Sequence, residues 1–149
     1  MHYYDLYLSI GYACRPSYHL KVNDLRNGAY PLDWQLAYSL DTVIHLFKTN
    51  FVDFFVDIEE EQAAIENKNR RIRDVKNDII SIHHFSKNME LEEAHRVFIE
   101  KMKERFKKSD EQLKNSKRVI LICNRTDSIE KLRSFLQEFS ALYPHLEKN

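Results

Sequence analysis

Glycine and proline are scarce, with 2 and 3 residues in a chain of 149. That excludes a collagen-like chain and a Gly/Pro-rich disordered one. An excess charge of one sign is missing too. Lys+Arg and Asp+Glu number 23 each, so the formal net charge is zero, and no global field draws the chain to nucleic acid. Cysteine is limited to Cys14 and Cys123. Two thiols do not make a disulfide scaffold, and a chain of 17.9 kDa folds without one. Both are read as reduced, in a cytoplasmic protein. No window approaches the ~18 consecutive apolar residues that span a bilayer. The start MHYYDLYLSIGYAC has no basic segment ahead of its alternating apolar stretch, unlike a signal peptide. Neither nucleic acid nor a membrane is an expected partner.

What is present is a core. Hydrophobic residues make up 43% of the chain, enough for a single domain over residues 1–149. Asp5 to Ile10 (DLYLSI) reads as a strand, Gly11 to Cys14 as a tight loop, and the stretch through Arg26 as a helix with Pro16 in its first turn. Asn27-Gly28 stops that helix. Leu36, Leu40, Val43, Ile44 and Phe47 recur at helical spacing, and Phe51, Phe54 and Phe55 form an aromatic cluster expected on the core. Residues 59–77 carry few large apolar side chains and read as a solvated polar insertion or polar helix. Ile79 to Ile82 is a compact strand running into His83-His84. Leu91 to Phe106 marks an amphipathic helix. VILIC, Val119 to Cys123, reads as a strand covered on both faces. Asp127 or Ser128 caps a last helix whose stripe is Ile129, Leu132, Phe135, Leu136, Phe139 and Leu142. This order predicts an α/β domain with a small, mainly parallel sheet of three or four strands flanked by helices. A missing last strand would leave a sheet edge open to a second copy, as a homodimer.

In such a sheet the strand exits gather the chemistry. The first exit carries Gly11 and Cys14, the second His83 and His84, the third Asn124, Arg125 and Asp127. Cys14 before a helix N-terminus reads as a thiol with lowered pKa, helped by Arg15, or as a small buried residue at a turn. A nucleophilic cysteine needs a base within reach and a group to orient it. The two histidines point to opposite sides of an extended segment, so one of them serves Cys14. Asp33 either orients a histidine or caps the second helix. Arg125 either binds an anion or pairs with Asp33 or Asp127. Cys123, inside VILIC, reads as core. No ligand cluster of zinc-like spacing and no Gly-rich phosphate loop occurs, so neither metal nor cofactor is expected.

The segments SIGYAC, PLDW, NFVDFF, IHHF and the late strand VILICNRTD together resemble the bacterial and viral family named putative papain-like cysteine peptidases. The resemblance covers roughly residues 5 to 143. That family's pattern has Leu, Phe and Asp where this chain has Ile10, Leu32 and His84. The resemblance implies Cys14 as nucleophile and His83 as base, with His84 the alternative base and Asp33, Asn124 or Asp127 as third member. Arg15, Trp34, Arg125 and Asp127 are the expected substrate contacts, and a peptide or small acyl compound the expected substrate. The competing expectation is a non-catalytic module holding an anion or peptide near Arg15 and Arg125.

Overall fold

The computed structural model describes residues 3–147. In chain order the elements are β1 (Leu6–Ser9), α1 (Arg15–Val22), β2 (Gln35–Leu36), α2 (Leu40–Lys48), β3 (Ile58–Glu61), β4 (Arg71–Asp74), β5 (Ile79–Ser81), α3 (Leu91–Asn115), β6 (Val119–Ile122) and α4 (Ile129–Leu142). They form mixed α/β structure, but not one mainly parallel sheet. β1 and β6 make a two-stranded parallel pair, with Leu6 opposite Val119 and Ser9 opposite Ile122. The other four strands make an antiparallel sheet in the order β2-β5-β4-β3.

The difference lies in residues 59–77, which are neither a loose insertion nor a helix. β4 reads Arg-Ile-Arg-Asp, and a strand alternates faces. Ile72 and Asp74 are fully buried, while Arg71 and Arg73 face outward. The outward arginines pair across the hairpin with Glu61 at 2.7 Å and Glu59 at 2.9 Å. Buried Asp74 stands in for backbone partners: it accepts from the N–H groups of Phe55 (2.7 Å) and Asn77 (3.1 Å) and from the Asn77 side chain (2.8 Å). One inward apolar residue per strand is too weak a pattern to see in a chain this charged.

Two helices begin as a cap requires. Ser39 and Ser128 accept from the N–H three residues on, at Thr42 and Lys131. Leu36 belongs to β2, not to the helix that follows. On α4 the buried stripe narrows to Phe135 and Phe139, while Ile129 and Leu136 are exposed. β6 is only half-buried along its length, not covered on both faces, and among the described residues β1 is its single neighbour. The core runs unbroken between the two sheets, from Leu6, Leu8 and Ile10 to Ile72 and Ile79. Phe54, Phe55, Phe85 and Phe98 stack at its centre, with Phe85 and Phe98 4.6 Å apart. No described helix is long and apolar enough to cross a membrane.

Candidate active site

The exit of β1 is a tightly fitted loop. Gly11 has φ +74°, and a Cβ there would lie 1.6 Å from the Tyr38 hydroxyl oxygen. Only glycine has room and the backbone freedom for this position. The Asn124 N–H donates to the Gly11 carbonyl (3.0 Å), and the Ala37 N–H donates to the Tyr12 carbonyl (3.1 Å). The loop is thus held from both sides before it delivers Cys14 to the N-cap of α1. Cys14 is half-buried and free.

A second set of contacts fixes the segment that faces this cysteine. Ser17, one turn into α1, donates to Asp33 Oδ1 at 3.2 Å and accepts the Trp34 N–H at 3.2 Å. Asp33 is buried, with an ion pair to Arg26 at 2.8 Å and the Tyr30 N–H at 3.0 Å. Its carboxylate is fully engaged there. Among the described residues the carboxylate is bonded to no histidine and caps no helix. Trp34 has φ +66°, and its carbonyl oxygen lies 3.8 Å from Cys14 Sγ.

Antiparallel pairing of Gln35 with Ser81 brings the residues before β2 beside those after β5. The result is contact across the two sheets. His83 Nε2 lies 3.4 Å from Cys14 Sγ, and the Trp34 ring meets the His83 ring edge-on at 5.7 Å. The next residue points the other way. His84 packs on Phe98 at 5.7 Å, and its Nε2 lies 3.4 Å from the Asp33 carbonyl oxygen. The alternation expected of adjacent residues therefore selects His83 as the neighbour of Cys14. Among the described residues no carboxylate or amide side chain is hydrogen-bonded to His83.

Burial pushes the Cys14 thiol above the ordinary cysteine range, only partly opposed by the residue's own backbone N–H. This reverses the lowered pKa expected at a helix N-terminus: desolvation of the thiolate outweighs the one backbone N–H that favours it. Loss of solvent also holds His83 below the ordinary histidine value. Both directions favour the neutral forms, S–H and imidazole. Burial, with Arg105 beside it, pushes His84 down to about 4.

The third exit is structural in its contacts. Arg125 has a side chain only 3% exposed; it donates to Asp127 at 2.7 Å and to the Tyr38 carbonyl at 2.8 Å. Its guanidinium also covers the Tyr12 ring at 5.3 Å. Arg125 and Asp127 thus pair with each other and brace the Gly11–Cys14 loop, while Arg125 Nη1 is buried with no acceptor among the described residues. Arg15 and Asn124 are exposed, and Asn124 reaches the loop through its backbone alone. Cys123 is exposed rather than core, because β6 ends at Ile122 on the rim of its sheet. Sequence reasoning missed Ser17, Arg26 and Tyr38. A serine three residues after Cys14, on the helix face that must be buried, was the available signal.

Over residues 5–149 the chain matches the family described as putative papain-like cysteine peptidase, and it belongs to that family. No curated protein and no solved structure gives a significant match.

Proposed function

We propose that the chain is a cysteine-dependent hydrolase or acyl transferase of papain-like type, with Cys14 as nucleophile and His83 as general base. The observation that carries this reading is the 3.4 Å approach of Sγ to Nε2 across two separate sheets, in a chain whose family bears the peptidase name. The pair rests neutral. As Sγ attacks a carbonyl carbon, Nε2 takes the S–H proton, and the S–C bond forms while the carbonyl electron pair moves to oxygen. In this reading backbone N–H groups at the start of α1 supply the donors for that oxyanion. Collapse returns the proton from Nε2 to the leaving group and leaves a thioester, which water or an acceptor nucleophile releases. Trp34, edge-on to His83, takes the orienting part that an amide or carboxylate plays elsewhere.

The test is labelling by an acyl-directed electrophile, read residue by residue in a mass spectrometer. Wild type, Cys14→Ser, His83→Ala and His84→Ala are compared, each checked for folding by circular dichroism. Cys14 labels faster than Cys123, and His83→Ala slows it by about 10²-fold, while His84→Ala does not. Labelling of Cys14 at the Cys123 rate, indifferent to His83, overturns the reading.

A further inference from the structure

A cavity of about 440 Å³ opens directly beside the proposed base. His83 and Ile82 form one side, and the loop joining β3 to β4 forms the other, with Gln62, Asn67, Lys68 and Asn69 turned to the space. The volume falls in the range of ligand-holding clefts, roughly 300–1,000 Å³. The loop wall is braced, not loose. Lys87 donates from Nζ to the Ala64 carbonyl and from its backbone N–H to the Lys68 carbonyl, both at 3.0 Å. The Arg70 N–H donates to the Phe85 carbonyl at 2.7 Å.

The charge of this wall is one-sided. No carboxylate lines it. Arg70 and Arg71 also border the cavity, but Glu60 and Glu61 neutralise them from behind. Lys68 is exposed and has no carboxylate partner among the described residues, and Glu66 on the same loop is not part of the lining. The space therefore offers one surplus cation and three amide side chains able to pair with extended backbone.

Resting on the reading of Cys14 and His83 as the reacting pair, we infer that this cleft is a specificity subsite for a peptide bearing an acidic side chain next to the acyl group that Cys14 attacks. Lys68 is the specificity-determining residue.

The experiment separates binding from chemistry. Fluorescein-labelled, amide-capped tetrapeptides with Asp, Asn or Lys at one position are titrated against Cys14→Ala protein by anisotropy. The Asp peptide is expected to bind about five- to tenfold tighter than the Asn peptide, and the Lys peptide weaker than both. Lys68→Gln removes the preference and Lys68→Glu inverts it; Lys68 is a surface side chain, so neither change threatens the fold. A fourth peptide, Asn with a free C-terminal carboxylate, distinguishes the source of the charge. Equal binding of the Asp, Asn and Lys peptides, an Asp preference indifferent to Lys68→Gln, or a gain confined to the free terminus each overturns the assignment. Failure of the catalytic reading leaves a different trace: Lys68-dependent binding survives, while Cys14 labelling in the wild type does not depend on His83.

Discussion

The two halves of the proposed catalytic pair are supported very differently. On the side of the parallel β1–β6 pair, Cys14 is delivered by a loop with almost no freedom. Tyr38 fills the space beside Gly11, Arg125 clamps the Tyr38 carbonyl, and Ser17 with Asp33 and Arg26 ties α1 to the segment carrying Trp34. On the side of the antiparallel sheet, His83 is only partly shielded from solvent and meets only Sγ and the edge of Trp34 among the contacts described. The nucleophile is over-determined and the base is held by little. Changes in the frame around Cys14 should act through the fold, and changes at Cys14 or His83 themselves through chemistry.

The largest expected effects come from the reacting atoms. Cys14→Ala abolishes acyl turnover, and His83→Ala lowers it about 10²- to 10⁴-fold, both with urea midpoints near wild type. Because His83 sits below the ordinary value of 6.5 and must be unprotonated to act, the acid limb of kcat/KM falls below that pH. A limb at or above it contradicts the neutral-pair mechanism. Gly11→Ala tests the other side. Its Cβ collides with Tyr38, and overpacking plus a left-handed backbone predicts a loss of roughly 2 to 5 kcal/mol, read as a fall in urea midpoint. A midpoint within error of wild type would show the loop to be less constrained than its contacts imply.

His84 gives a smaller, pH-dependent effect. Its folded pKa of about 4 lies below the ordinary 6.5, so the unfolded chain binds the proton more readily. The stability from a neutral His84 is complete above about pH 6.5 and is lost as pH falls toward 4, on the order of 3 kcal/mol. His84→Gln should flatten that slope in denaturation curves measured across the window; an unchanged slope assigns it to other groups. The smallest effect is expected at the outer face of the β3–β4 hairpin. Glu59→Gln breaks an exposed pair with Arg73 and should cost less than about 1 kcal/mol, with no change in turnover.

Legibility in the sequence followed the same division. The β1–Cys14–α1 unit was readable because a short apolar run, a lone glycine and a proline in the first turn each leave a local mark. The choice between His83 and His84 was not, since adjacency fixes only that they diverge; packing of His84 on Phe98 decides it. The antiparallel sheet escaped notice because β2 has two residues and β4 buries one apolar side chain. The sequence leaves Asp33 as an orienting or capping group, and Arg125 as an anion anchor or the partner of Asp33 or Asp127, of which the Asp127 pair is formed. Nothing local tells a buried carboxylate with three donors from a reactive one, or a clamped guanidinium from a free one.

Cys14 follows a strand of one sheet and His83 a strand of the other, and the two sheets share no ladder; near the site they are joined by side-chain contacts and by the Ala37 N–H to the Tyr12 carbonyl. The pair is therefore a gauge of alignment between two bodies. A sliding of one sheet against the other by an ångström takes Sγ and Nε2 out of hydrogen-bond reach while every strand keeps its own neighbours. A change that shifted the sheets by that much would silence the proposed site without breaking a single strand pair.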